Sequence, residues 1–356
     1  KDDLQKELTE IDIFTGVGDY DKIDRLVHEK RSSFSNEVFL ASEENDRVIT
    51  GSNYHAYVKL SEGCNQSCSF CAIPSFKGKL HSRTLESLVK EVTNLVKKGS
   101  KDFSFVSQDS SSYLRDLGHN DGLEQLIDAV EKIDGVKTAR ILYLYPSTTT
   151  HNLIDKIADS KVFVNYFDMP LQHISQNMLK IMKRGKGAEK LIELMNYMRS
   201  KPNSFVRTTF IAGHPGESED DFEELCSFVE EFGFDRGNVF SYSDEEGTTA
   251  ETRDDKIEQE LIDERAEILG DIISQTTIKS LENDIGKSFE VYIDGESEEH
   301  EYLLSARKTI WAPQIDGEIY INDNEDNIPI IFGEIYEIEA TELAGDKLLA
   351  KIIRKV

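Results

Sequence analysis

Apolar and polar positions set up a repeating rhythm from Tyr54 onward. "YHAYVKL" (54–60) alternates apolar and polar residues and is rich in β-formers, which predicts a strand. Leu85, Leu88, Val89, Val92, Leu95 and Val96 then fall on one helical face, with Gly99 as a stop. "DFSFVS" (102–107) is a second strand, and Leu123, Leu126, Ile127, Val130 and Ile133 form a second apolar stripe. "ARILYLY" (139–145) precedes a short helix over 151–159, and "VFVNYFDM" (162–169) precedes helical sequence over 175–200. "FVRTTFIAG" (205–213) leads to a helix capped by Ser218, with Asp221 three residues on. "RGNVFSYS" (236–243) leads to a long charged helix over 255–282. Six strand–helix alternations predict parallel strands joined by crossovers. A full eightfold barrel takes about 250 residues, so six units predict an open partial (β/α)6 barrel with its chemistry at the C-terminal strand ends.

After Gly286 the rhythm shortens. "KSFEVYIDG", "EYLLSARK", "GEIYIND", "GEIYEIEATEL" and "KLLAKIIRKV" are alternating runs separated by Gly, Asp and Asn. They predict a small antiparallel β-barrel. The expected organisation is 1–33 as the end of a preceding unit, 34–53 as a polar linker, 54–284 as the α/β domain and 285–356 as the small barrel.

Composition narrows the function. The 356 residues are 38% hydrophobic, with 18 Phe and 13 Tyr, enough for packed cores. No run of about 18 apolar residues spans a membrane. A net charge of −27 opposes strong nonspecific nucleic-acid binding and suits a basic partner. In the small barrel, seven Lys and Arg against sixteen Asp and Glu leave −9. The acidic stretches 218–224 and 323–327 read as solvated faces.

Four cysteines do not make a disulfide framework in a chain this long. Three of them, Cys64, Cys68 and Cys71, occupy eight positions as CxxxCxxC after the first strand, which points to metal or redox work in a reducing compartment, the cytoplasm. Zinc would need a fourth ligand, with His55 or His81 as candidates. A dithiol pair would use Cys68 and Cys71 alone. An iron–sulfur cluster on three thiolates leaves one iron for a small molecule to chelate. Gly63 before the first thiol permits a tight turn, and Phe70 before the last offers an apolar wall; both favour the cluster. Cys226 shares a helical stripe with Phe222, Leu225 and Val229 and reads as a core thiol.

The cysteine loop, with an aromatic before its third cysteine and a βα repeat around it, resembles the radical S-adenosylmethionine superfamily. "CAIPSFKGKLHSR", "SQDSSSY", "YPS", "FDMPLQH", "IMKRG", "RTTFIAGHPGES", "FSYSDEEGTTA" and "APQIDG" follow in order over most of the chain. Together they resemble the methylthiotransferases. "IPSFKGKL" and "YSDEEGT" are most similar to the branch that modifies an aspartate of small-subunit ribosomal protein S twelve. The small barrel resembles a TRAM domain. The resemblance implies a 4Fe–4S cluster on Cys64, Cys68 and Cys71, with S-adenosyl-L-methionine chelating the open iron and giving a 5′-deoxyadenosyl radical. It implies cofactor contacts from Phe70, Gln108, Asp109, Gln172, Arg184, Ile211 and Gly213. It also implies ribosomal protein S twelve or the ribosomal subunit as substrate, and an electron donor such as flavodoxin.

Family members carry a second 4Fe–4S cluster on three cysteines of an N-terminal domain. Residues 1–33 hold no cysteine, and "IDIFTGVGDYDKI" resembles that domain's end. Since the chain begins at Lys1 rather than Met, the expectation is a longer protein, with the second cluster only in the full-length chain. The rival readings are a tRNA methylthiotransferase and a metal-stabilised ribosome-interaction module without catalysis.

Overall fold

Two short helices, α1 (Asp2–Glu7) and α2 (Ile23–Glu29), open the chain. The computed structural model describes residues 2–356 apart from Asn36, Asp46 and Glu325, with side chains from Gln5 onward. Lys1, two positions of the 34–53 linker and one of the acidic stretch 323–327 thus lie outside the described residues.

The α/β part runs β1 (His55–Lys59), β2 (Ser61–Glu62), α3 (Ile73–Lys77), β3 (His81–Ser82), α4 (Leu85–Lys97), β4 (Asp102–Val106), α5 (Gly122–Val130), β5 (Thr138–Ile141), α6 (His151–Ala158), β6 (Tyr166–Asp168), α7 (Gln176–Ile181), α8 (Ala188–Arg199), β7 (Phe205–Ala212), α9 (Glu219–Phe232), β8 (Arg236–Ser241) and α10 (Gln259–Glu282). β1, β4 and β5 pair in parallel in that order, and β6, β7 and β8 do the same. A parallel bridge between Ala139 and Phe163 joins the two halves. Six parallel strands therefore follow one another in chain order. Among the described residues no pairing closes β8 onto β1, so the barrel is open.

The helices form where the apolar stripes predict them. Leu88, Val92 and Leu95 of α4 are buried, and the Thr84 hydroxyl accepts from the Ser87 N–H to cap its start. Ser218 and Asp221 cap α9 reciprocally. The helical sequence over 175–200 forms two helices, α7 and α8, separated by a turn in which Lys183 (φ 57°) and Gly185 (φ 74°) are left-handed. A left-handed residue ends an α-helix, and here it swings Arg184 off the helical path.

The C-terminal strands are β9 (Ser288–Glu296), β10 (Leu304–Lys308), β11 (Ile319–Asp323), β12 (Ile335–Ala344) and β13 (Lys347–Lys355). They close in the order β10-β11-β13-β12-β9. All pairings are antiparallel except β11 with β13, which is parallel. Alternation marks strands but not which distant strand each one meets. The barrel shares a core with the α/β part, where Trp311 and Ala312 pack with Leu142, Tyr166 and Phe205.

Candidate active site

A cavity of about 830 Å³ opens at the C-terminal ends of the parallel strands. Its wall includes Lys59, Val106, Ile211 and Ser241 from β1, β4, β7 and β8, and the thiols of Cys64, Cys68 and Cys71. All three cysteines are free and half-buried. Burial pushes the Cys64 thiol up to about 11 and raises that of Cys71.

The cysteine loop is fixed from several sides. At its base, β2 and β3 pair as a short antiparallel ladder. The Cys64 N–H donates to the Gly78 carbonyl at 3.1 Å, and Leu80 N–H to Asn65 Oδ1 at 3.1 Å. Ser69 N–H donates to Met182 O at 3.1 Å, its carbonyl accepts from Ala250 N–H at 2.8 Å, and its hydroxyl lies 3.0 Å from His214 Nε2. The turn needs glycine at Gly63, where φ is +78° and an added Cβ would stand 2.2 Å from the Lys79 carbonyl oxygen. Gly63→Ala should therefore distort the loop, costing about 2 kcal/mol of stability from the left-handed backbone alone. Iron taken up on anaerobic reconstitution should fall along with the thermal midpoint. Wild-type iron and wild-type melting together would show that the turn has room for a methyl.

Gln108, Gln172, Arg184, Ile211 and Phe70 line the same cavity as the thiols. Arg184 is buried, lies 4.3 Å over the Tyr145 ring, and donates from Nη1 to Cys68 Sγ at 3.3 Å and from Nη2 to the Pro170 carbonyl. Gln108 Nε2 donates to Glu62 at 2.7 Å. Gln108 Oε1, Gln172 Oε1 and Arg184 Nε are buried without a protein partner, an acceptor–donor set on the wall of a chamber.

Asp109 and Gly213 are not on that wall. The Asp109 carboxylate is buried and accepts from Gln66 Nε2 at 2.7 Å, Ser112 Oγ at 2.6 Å and Ser111 Oγ at 2.9 Å. Through Gln66 it braces the cysteine loop. Gly213 has φ +79° and faces Ile262 of α10, whose Cγ1 would stand 2.5 Å from an added Cβ. Cys226 lies on α9, half-buried against the core rather than fully buried, and away from the cavity.

The two histidines weighed as zinc ligands are elsewhere. His55 starts β1, at the opposite end from the loop, and its Nε2 is 3.0 Å from Ser104 Oγ. His81 is exposed and bonds the Lys79 carbonyl at 2.7 Å. Among the described residues no three His, Cys, Asp or Glu side chains make the compact shell of a single ion.

Several wall residues were not among the site residues expected from the sequence. Tyr143 and Tyr145 follow β5, and the Tyr145 hydroxyl is 3.7 Å from Cys68 Sγ. Arg207, Thr209 and Asn238 lie on β7 and β8. A charged residue inside a central strand such as β7 is the one cue that could have flagged Arg207.

Open parallel barrel and three-cysteine loop together define a radical S-adenosylmethionine domain, and the profile of the Radical SAM superfamily matches residues 58–229. A TRAM domain profile matches residues 285–353. The chain is 79% identical over 356 residues to ribosomal protein uS12 methylthiotransferase RimO of Aliarcobacter butzleri (strain RM4018), covering 99% of this chain and 80% of that protein. It is 62% identical to the same-named protein of Sulfurovum sp. (strain NBC37-1), covering 100% and 80%. The chain belongs to the ribosomal protein uS12 methylthiotransferase (RimO) family. In fold, it is similar to coproporphyrinogen III oxidase (HemN) from Escherichia coli, a radical SAM enzyme, with a TM-score of 0.50 and 15% identity over 64% of this chain and 53% of that one.

Proposed function

We infer that this chain is the radical and recognition portion of a methylthiotransferase. It inserts a methylthio group at an unactivated C–H bond of an aspartate in ribosomal protein uS12. The observation that supports this most is the chamber: three free thiols on one wall, with the unpartnered polar atoms of Gln108, Gln172 and Arg184 beside them. When bound, a 4Fe–4S cluster and S-adenosyl-L-methionine supply an electron and a carbon-centred radical able to take hydrogen from such a bond.

In this reading Cys64, Cys68 and Cys71 would hold the cluster and leave one iron open to the cofactor. Arg184 pairs with the cofactor carboxylate. Gln108 and Gln172 offer acceptors to its amino and hydroxyl groups. Ile211 and Phe70 present apolar surface to its rings. Asp109 and Gly213 act from behind the wall, the first through Gln66 and the second by letting α10 pack close. The second cluster belongs to the N-terminal domain of the full-length protein. The reading requires a low-potential electron donor such as flavodoxin and a cytoplasmic setting. A net charge of −27 suits a basic ribosomal protein better than tRNA.

Anaerobically reconstituted, reduced protein should hold about one four-iron cluster at this loop and release 5′-deoxyadenosine from S-adenosyl-L-methionine. One zinc without sulfide would sink the proposal, and a loaded cluster yielding no 5′-deoxyadenosine would assign the metal to folding alone. Binding of uS12 and of tRNA at physiological salt separates the two substrate readings.

A further inference from the structure

Behind the chamber wall lies a loop of the C-terminal barrel, none of whose residues lines the cavity itself. The loop between β10 and β11 buries Trp311 against Tyr166 and Phe205 and carries Asp316, which is fully buried. Ala312 N–H donates to Asp316 Oδ2 at 2.7 Å, and Arg236 Nε donates to the Asp316 carbonyl. The other carboxylate oxygen, Oδ1, stands 3.5 Å from Arg207 Nε, and the buried Tyr166 hydroxyl lies beside the same carboxylate. Arg207 is the cavity-lining cation on β7, two residues below Thr209 and four below Ile211, both of which also line the chamber. Alternate residues of a strand share a face, so Arg207 occupies the deepest of these three positions.

A second carboxylate completes the hold. Asp168, at the end of β6 and fully buried, accepts from Arg207 Nη1 at 3.1 Å. It also accepts from the Tyr143 N–H at 3.0 Å, fixing a wall residue whose φ is +61°. With its amide oriented to accept, Asn238 takes a hydrogen bond from Arg207 Nη2 at 2.9 Å. The guanidinium is thus held from both domains, with one face toward the cavity.

We propose that Asp316, a residue of the C-terminal barrel, is a positioning residue for the reaction: with Asp168 it locks Arg207 as the chamber floor and so sets how deep the substrate side chain sits below the radical source. The inference rests on the functional reading above. It makes the C-terminal barrel, through Asp316, a support for the wall of the reaction chamber. Without Asp316, Arg207 keeps Asp168 and Asn238 but loses its contact on the Nε side, so the guanidinium can settle in a shifted position, and a misplaced reacting carbon costs turnover more than binding.

The test is Asp316→Asn in the full-length reconstituted enzyme, beside wild type, with a uS12 substrate. Iron content, S-adenosyl-L-methionine affinity and substrate KM should stay close to wild type, while kcat for the methylthiolated product falls about tenfold. The 5′-deoxyadenosine released per product should rise by a similar factor, because the radical forms but the target is out of place. Asp316→Glu should restore part of the coupling. In an Arg207→Met background, adding Asp316→Asn should change this ratio no further, as expected if Asp316 acts through Arg207. A raised KM with unchanged kcat and coupling would reduce Asp316 to domain docking and overturn the proposal, as would a wild-type ratio in Asp316→Asn. If Asp316→Asn fails to fold, Arg207→Lys carries the same test, and wild-type coupling in that variant overturns it. A wild type that yields no methylthiolated product would instead defeat the functional reading, and this inference with it.

Discussion

Replacing any one of Cys64, Cys68 and Cys71 by alanine is expected to remove most of the bound iron, while Cys226→Ala keeps it. Two thiolates cannot retain a cluster that three hold, and the loop offers no substitute: His81 is turned to the Lys79 carbonyl and His55 lies at the far end of β1. Arg184 Nη1 and the Tyr145 hydroxyl both reach Cys68 Sγ, at 3.3 Å and 3.7 Å. Losing that thiol therefore also strips a partner from a buried guanidinium, and Cys68→Ala should be the least stable of the three. Cys226 packs on α9 away from the cavity, so its truncation should cost on the order of 1 kcal/mol and no iron. Iron and sulfide counted in the four variants after identical anaerobic reconstitution decide the matter. Cluster loss in Cys226→Ala equal to that in the others would make it a fourth protein ligand and leave no iron for the cofactor.

The parallel barrel was legible because its signal is local. Each strand is a short run of β-formers and each helix an apolar stripe, so "FVRTTFIAG" and the Ser218 cap read without reference to any other segment. The cysteine loop was legible for the same reason, its three ligands lying within eight residues. What escaped depended on direction or on distant partners. Whether Asp109 faces the chamber or turns back to Gln66 depends on the path after β4, which no spacing specifies. Tyr143 and Tyr145 lie in an apolar run that reads as core, yet one strand end turns them onto the cavity. Trp311, in the loop between β10 and β11, is buried in the core shared by the two domains, a placement that its local sequence does not specify. The parallel pairing of β11 with β13 joins segments that alternation marks as strands without saying which neighbour each takes. Where the helical sequence over 175–200 breaks into α7 and α8 is not legible, because Lys183 adopts a left-handed conformation that its residue type does not announce.

The largest expected loss of stability comes from Asp102→Ala, at the pole of the barrel opposite the cysteine loop. Asp102, Arg140 and Arg307 are all buried, and the first two have no exposed surface. Asp102 Oδ1 accepts from Arg140 Nη2 at 2.7 Å, and Oδ2 from Arg307 Nη2 at 2.7 Å. Thr138 Oγ1 adds a bond to Oδ1 at 2.5 Å. Burial alone would raise the Asp102 carboxyl, but Arg140 and then Arg307 outweigh it and hold it well below the usual carboxylate range. A lowered pKa adds stability that is complete above the unfolded value of about 3.9 and is lost only as pH falls through the folded value. Wild type should therefore keep this contribution unchanged from pH 5 to 8. Alanine leaves two guanidinium groups in a dry interior with one carboxylate fewer. Arg140 retains Ser104 Oγ and the Thr309 and Ile310 carbonyls, and Arg307 retains the Trp311 carbonyl and Asp294, so the charges stay partly solvated by the protein. Removing one member of a buried ion group costs about 3–5 kcal/mol, and Asp102→Ala should fall in that range by urea unfolding at pH 7. Because Arg307 belongs to β10 and Arg140 donates to the 309–310 backbone, the loss should also loosen the C-terminal barrel. Limited proteolysis should then cut between residues 283 and 288 faster than in wild type. A loss below about 1 kcal/mol, a value typical of exposed pairs, would show that the triad holds neither the domain nor the joint.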